Sequence, residues 1–148
     1  ERFEEVKRIC QAYSLKVIKK TNVSRDKDWD VLILDTIGEL TKFYALSDVA
    51  FVGGSLVPWG GHNILEPAFY EKPVFFGPNM KNFAFLADRF IQSGAARVIE
   101  EEENLLDMFL MKNENELSEM GKKARETLDS LRGATKKTIQ EIEAFMMQ

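Results

Sequence analysis

The residues able to do chemistry crowd into one stretch, Gly53-Gly54-Ser55-Leu56-Val57-Pro58-Trp59-Gly60-Gly61-His62-Asn63-Ile64-Leu65-Glu66-Pro67, and five of the nine glycines fall between Gly53 and Gly77. Glycines directly after an apolar run let the backbone approach a ligand closely, and their N–H groups can converge on an anion. The same two pairs, Gly53-Gly54 and Gly60-Gly61, also suit two tight turns and nothing more. Asn63 and Glu66 have capping-box spacing, which makes Glu66 structural. A carboxylate in the first helical turn is equally placed to accept hydrogen bonds from the two hydroxyls of a ribose. His62 is the single imidazole, a turn residue or a ligand contact rather than a base, since no partner positions it. Ser55 has no His/Asp arrangement around it and reads as a hydrogen-bond donor, not a nucleophile. Thr36-Ile37-Gly38-Glu39-Leu40 forms a second candidate, a strand end opening a helix whose first N–H groups could meet a base edge.

The elements that must position these residues follow from periodicity. Phe3, Val6, Ile9, Cys10 and Tyr13 recur at helical spacing, and a β-like run follows from Leu15 to Ile18. Val31 to Leu34 and Val49 to Val52 are continuous apolar runs, as expected of strands covered on both faces. Between them Leu40, Phe43, Tyr44 and Leu46 mark a helix. A short helix is expected around Asn63 to Tyr70, where Pro67 at the fourth position would leave a carbonyl without its donor. Then come a strand Val74 to Phe76, a helix from about Asn82 to Gln92 stopped by Gly94, and a strand Ala95 to Ile99. From Asn104 onward the pattern is helical, with a break at Gly133 and a last helix over 135–148. The acidic run Glu100 to Glu103 reads as a solvated helix start. Strands alternating with helices imply an α/β fold, a three-layer, Rossmann-like, doubly wound parallel sheet in one domain over 1–148. Open sheets of this kind bind ligands at the carboxyl ends of their strands.

Composition narrows the function. With 24 acidic and 20 basic residues, net charge −4, no basic face is marked out for nucleic acid. One cysteine, Cys10, and one histidine exclude a disulfide or a Cys/His zinc cluster, so a reducing compartment and neither metal nor cofactor are expected. No apolar run approaches the ~20 residues that cross a bilayer. The chain opens at Glu1 in a helical pattern without an initiator Met, as expected of a soluble piece of a longer protein.

Taken in order, Asp35-Thr36-Ile37-Gly38-Glu39-Leu40, Phe43 to Val57, and Gly60-Gly61-His62-Asn63-Ile64-Leu65-Glu66-Pro67 resemble the 3-deoxy-D-manno-octulosonic acid (Kdo) transferases. Gly77-Pro78-Asn79-Met80-Lys81-Asn82-Phe83 is similar to the same family's next motif, and the resemblance runs from Glu1 to about Ile99. It implies the C-terminal half of a GT-B glycosyltransferase that moves Kdo from CMP-Kdo to a lipid A precursor, inverting the anomeric carbon without a metal. It further implies that Ile37, Gly38 and Glu39 lie against cytosine, and that Asn63, Ile64, Leu65 and Glu66 hold ribose and phosphate. Gly53, Gly54 and Ser55 then face the phosphate or the Kdo carboxylate, with Gly61 and His62 in the same loop.

Two departures matter. The family's proline-arginine pair would precede Glu1-Arg2-Phe3, and its acidic catalytic base belongs to an N-terminal domain. No catalytic residue is therefore assigned here, and the acceptor surface and membrane association, at the cytoplasmic face of the bacterial inner membrane, are expected of the other half. Other readings are a UDP-sugar transferase or sugar-nucleotide epimerase of the same architecture, and a noncatalytic nucleotide-binding module. No Gly-x-Gly-x-x-Gly supports a dinucleotide site. The apolar stripe of the last helix fits exposure, a dimer contact, or packing on its own sheet.

Overall fold

The computed structural model describes residues 2–23, 28–110 and 113–133, together with 138, 139, 142, 143, 145 and 146. The helix expected over 135–148 lies largely outside the described residues. Contacts divide the chain into two compact units, Glu1–Phe43 and Tyr44–Gln148.

In the first unit, helix α1 (Phe3–Ala12) leads to strand β1 (Val17–Lys19), a 3-10 turn (Lys20–Asn22) and strand β2 (Val31–Ile33). β1 and β2 pair in parallel, Val17 opposite Val31 and Lys19 opposite Ile33. Asp30 joins their entry, accepting from the Lys16 amide at 2.8 Å. Two strands cover little of a helix face, and α1 buries none of its residues; Ile9 remains 53% exposed. Helix α2 (Leu40–Leu46) starts in this unit and ends in the next.

The second unit has a parallel sheet in the order β3 (Ala50–Val52), β4 (Val74–Phe76), β5 (Ala96–Val98). Ala50, Val74 and Ala96 are aligned across it. Parallel strands need crossovers, supplied by α3 (Leu65–Phe69) between β3 and β4, and by α4 (Ala84–Gln92), entered through a 3-10 turn at Lys81–Phe83, between β4 and β5. A 3-10 turn at Glu102–Asn104, α5 (Leu105–Leu110) and α6 (Glu114–Ser130) follow. All three residues of β4 are buried, and they divide between two cores. Val74 and Phe76 pack with Ala68, Ala87, Phe90 and Ala124, whereas Phe75 packs with Ile99, Met108 and Met120. Helices thus cover both faces of this sheet, which is why its central strand is apolar throughout.

The parallel α/β pattern agrees with the expectation, with the strands in two sheets rather than one continuous run. The helix ends obey local chemistry. Gly94 closes α4, its N–H donating to the Ile91 carbonyl at 3.0 Å while the Ala95 N–H reaches Phe90 at 2.8 Å. Asn113 caps α6, accepting from the Glu116 amide at 3.3 Å. Among the described residues no helix is long and apolar enough to cross a membrane.

Candidate functional site

The glycine-rich loop leaves the carboxyl end of β3 and returns at α3, all within the second unit. Its two glycine pairs meet, since the Gly61 N–H donates to the Gly54 carbonyl at 3.0 Å and closes the loop at its base. Gly54 has φ +68°, and a β-carbon there would come within 3.4 Å of the His62 imidazole, so the exposed ring lies against this glycine. Gly61 has φ +73° and is buried; a β-carbon would stand 2.3 Å from the Met80 sulfur. The second pair therefore answers to packing and turn geometry, whereas Gly53 remains exposed.

A second segment ties the loop down. The Asn79 amide donates to the Ser55 carbonyl at 2.8 Å, and the Asn79 side chain to the Leu56 carbonyl at 3.1 Å. The Asn82 amide reaches Gly60 at 3.0 Å and its side chain reaches Trp59 at 3.3 Å. Ser55 completes this scaffold. Its side chain is fully buried, donating to the Val52 carbonyl at 2.5 Å and accepting from the Gly77 amide at 2.8 Å. The hydroxyl expected to face a phosphate or carboxylate is thus spent joining the ends of β3 and β4.

At the start of α3 the expected reciprocal box takes another form. Asn63 Oδ1 accepts from the Leu65 amide at 3.0 Å, and Asn63 Nδ2 donates to Glu66 Oε1 at 3.3 Å. The half-buried Glu66 carboxylate is oriented by a side-chain amide rather than spent on the helix start. Ile64 is fully buried in the core, so it meets any ligand through its backbone alone, while the partly buried Leu65 packs against that core. Pro67 stands third in α3, among the first amides that have no intrahelical partner, so the expected loss of a bond does not arise. Tyr44 is an addition that spacing had placed only on a helix face. Burial first, then the Glu66 carboxylate, pushes its phenol above the usual range.

Ile37, Gly38 and Glu39 belong to the first unit. Thr36, Ile37 and Gly38 form a bend and Glu39 leads into α2, which begins at Leu40. Ile37 is fully exposed. Glu39 accepts from the Thr36 hydroxyl at 2.5 Å, which, aided by the charges of Lys20 and Lys42, holds its carboxyl below the usual range.

Parallel strands with crossover helices, and a glycine-rich loop and helix-start carboxylate at their carboxyl ends, define a Rossmann-like domain of the GT-B glycosyltransferase type. No family model matches the chain. It is 33% identical over 150 residues to the Kdo transferase of Bordetella pertussis, covering 99% of this chain and 35% of that protein. It is 36% identical over 96 residues to a bifunctional glycosyltransferase/methyltransferase of Fusobacterium nucleatum, covering 62% of this chain and 15% of the relative. Among solved structures it matches the C-terminal CMP-Kdo binding domain of WaaA from Acinetobacter baumannii with a TM-score of 0.74 and 36% identity, covering 83% of this chain and 67% of that one. The chain belongs to the Kdo transferase family. It spans about a third or less of the curated relatives it matches here.

Proposed function

We propose that this domain binds CMP-Kdo as the donor-holding part of an enzyme that transfers Kdo to a lipid A precursor in lipopolysaccharide biosynthesis. The observation that carries this reading is Glu66, whose carboxylate is held by Asn63 at 3.3 Å in the first turn of α3 and, among the described residues, is not taken up by a backbone amide. A half-exposed carboxylate acceptor suits a pair of neighbouring ribose hydroxyls. The glycine loop beside it suits the phosphate, because its small residues let main-chain amides approach an anion. The name of the Acinetobacter baumannii domain supports cytosine as the base.

Inverting transfer without a metal needs a base to deprotonate the acceptor hydroxyl and donors to stabilise the departing CMP phosphate. The loop amides suit the second task. The first is assigned to the enzyme's N-terminal domain, so this chain alone is expected to bind donor without turnover. The same domain is proposed to carry the acceptor site and the association with the cytoplasmic face of the inner membrane.

Calorimetric competition between CMP and UDP tests the proposal. The chain is expected to bind CMP in preference to UDP. Preferential UDP binding selects a UDP-sugar transferase or epimerase instead, and no heat up to millimolar CMP overturns nucleotide binding.

A further inference from the structure

A cavity of about 360 Å³ lies in the second unit beside the glycine loop, walled by Pro58, Asn79, Lys81, Asp88 and Ile91, with the ends of β4 and β5 forming its floor. Neither Asn63 nor Glu66 lines it. Its size is within the range of small-molecule sites, which run from about 300 to 1,000 Å³. Neither Lys81 nor Asp88 forms an ion pair among the described residues. Lys81 stands in the 3-10 turn that enters α4 and Asp88 within α4 itself, seven residues further on. The cavity thus has a cationic and an anionic point at separate places on one wall, with Pro58 and Ile91 as apolar surface.

A donor such as CMP-Kdo has two parts of different chemistry. One is a nucleotide and the other a sugar acid with a carboxylate, several hydroxyls and one deoxygenated carbon. Ser55 offers the carboxylate nothing, because its hydroxyl is buried between Val52 and Gly77. We infer that this cavity receives the sugar-acid part of the donor, Lys81 pairing with its carboxylate and Asp88 accepting from its hydroxyls; this rests on the donor reading proposed above. An ammonium suits a carboxylate, and a carboxylate is a strong acceptor for hydroxyls, so the two charges orient the sugar in opposite senses.

The test is amide chemical-shift mapping of the isotopically labelled chain with CMP, with free Kdo, and with mannose as a neutral sugar. CMP is expected to move the amides of residues 63–66, and Kdo those of Asn79, Lys81, Asp88 and Ile91, with mannose far weaker. Lys81→Ala is expected to lower Kdo affinity about ten-fold or more, as for one lost charge-assisted hydrogen bond. Lys81→Arg retains most of the affinity, and CMP affinity stays within about two-fold in both variants, since the nucleotide does not meet Lys81. If CMP moves residues 63–66 while Kdo leaves the cavity amides still, the inference falls and the donor reading stands. Equal shifts with mannose and Kdo remove the role of Lys81. If CMP leaves residues 63–66 unmoved, the donor reading itself fails.

Discussion

Ser55→Ala separates a scaffold role from a ligand role at the centre of the loop. The serine side chain is fully buried, and its hydroxyl donates to the Val52 carbonyl and accepts from the Gly77 amide at 2.8 Å. Alanine leaves that amide without a partner. Water is a poor substitute, because Gly77 passes so close that a β-carbon there would stand 2.5 Å from the Ser55 carbonyl oxygen. A stranded buried amide costs about 1–3 kcal/mol, and with the bond to Val52 also lost the expected total is about 2–3 kcal/mol. In a chain of this size that lowers Tm by about 5–10 °C. Urea unfolding followed by circular dichroism should show a lower midpoint at unchanged slope, while CMP affinity measured below the transition stays within about two-fold. A variant as stable as the parent that has lost CMP affinity would refute the reasoning, because the hydroxyl would then be facing the ligand.

Two further outcomes test the frame around the site. Gly121→Ala in α6 should destabilise the second unit, since its β-carbon would lie 2.0 Å from the Glu71 carbonyl oxygen, which is backbone and cannot swing aside. In a free helix the change would stabilise by about 1 kcal/mol. Overpacking of about 1–3 kcal/mol reverses the sign, and a raised urea midpoint would show that α6 is not seated on that turn. In the first unit, Asp35 accepts from the Thr21 hydroxyl at 2.7 Å and the Thr21 amide at 3.0 Å, and these bonds, the hydroxyl's first, hold its carboxyl below the usual range. Its contribution is present above the unfolded value of about 4 and is lost as pH falls through the lower folded value. Asp35→Asn should therefore lose less stability between pH 5 and pH 3 than the parent, measured as urea midpoints, and equal losses would show that Asp35 is not held this way.

Much of the frame was legible because its signals are local. Val74 to Phe76 announced a strand, and Gly94 announced the end of α4. What could not be read depends on residues distant in sequence. The need for glycine at Gly61 comes from Met80, and the inward turn of Ser55 comes from Gly77, 22 residues on. Spacing identified Asn63 and Glu66 as a pair but could not show that Asn63 would bond Leu65 and hand its amide to the carboxylate. That Lys81 and Asp88 line one cavity with Pro58 was equally hidden: Lys81 was read only as part of a motif, and no local spacing brings Pro58 to the same wall. α1 carried a clear apolar stripe, yet a two-stranded sheet cannot cover it.

The central claim is that the Glu66 carboxylate holds the ribose of a cytidine nucleotide. A four-way calorimetric cycle addresses it directly, with the parent and Glu66→Ala each titrated with CMP and with its 2′,3′-dideoxy analogue. The account predicts that the substitution weakens CMP about ten-fold or more and leaves the already weak analogue unchanged, as expected when a charged acceptor loses its hydroxyl partners. Equal weakening of both nucleotides, or of neither, would contradict it and leave Glu66 only its bond to Asn63.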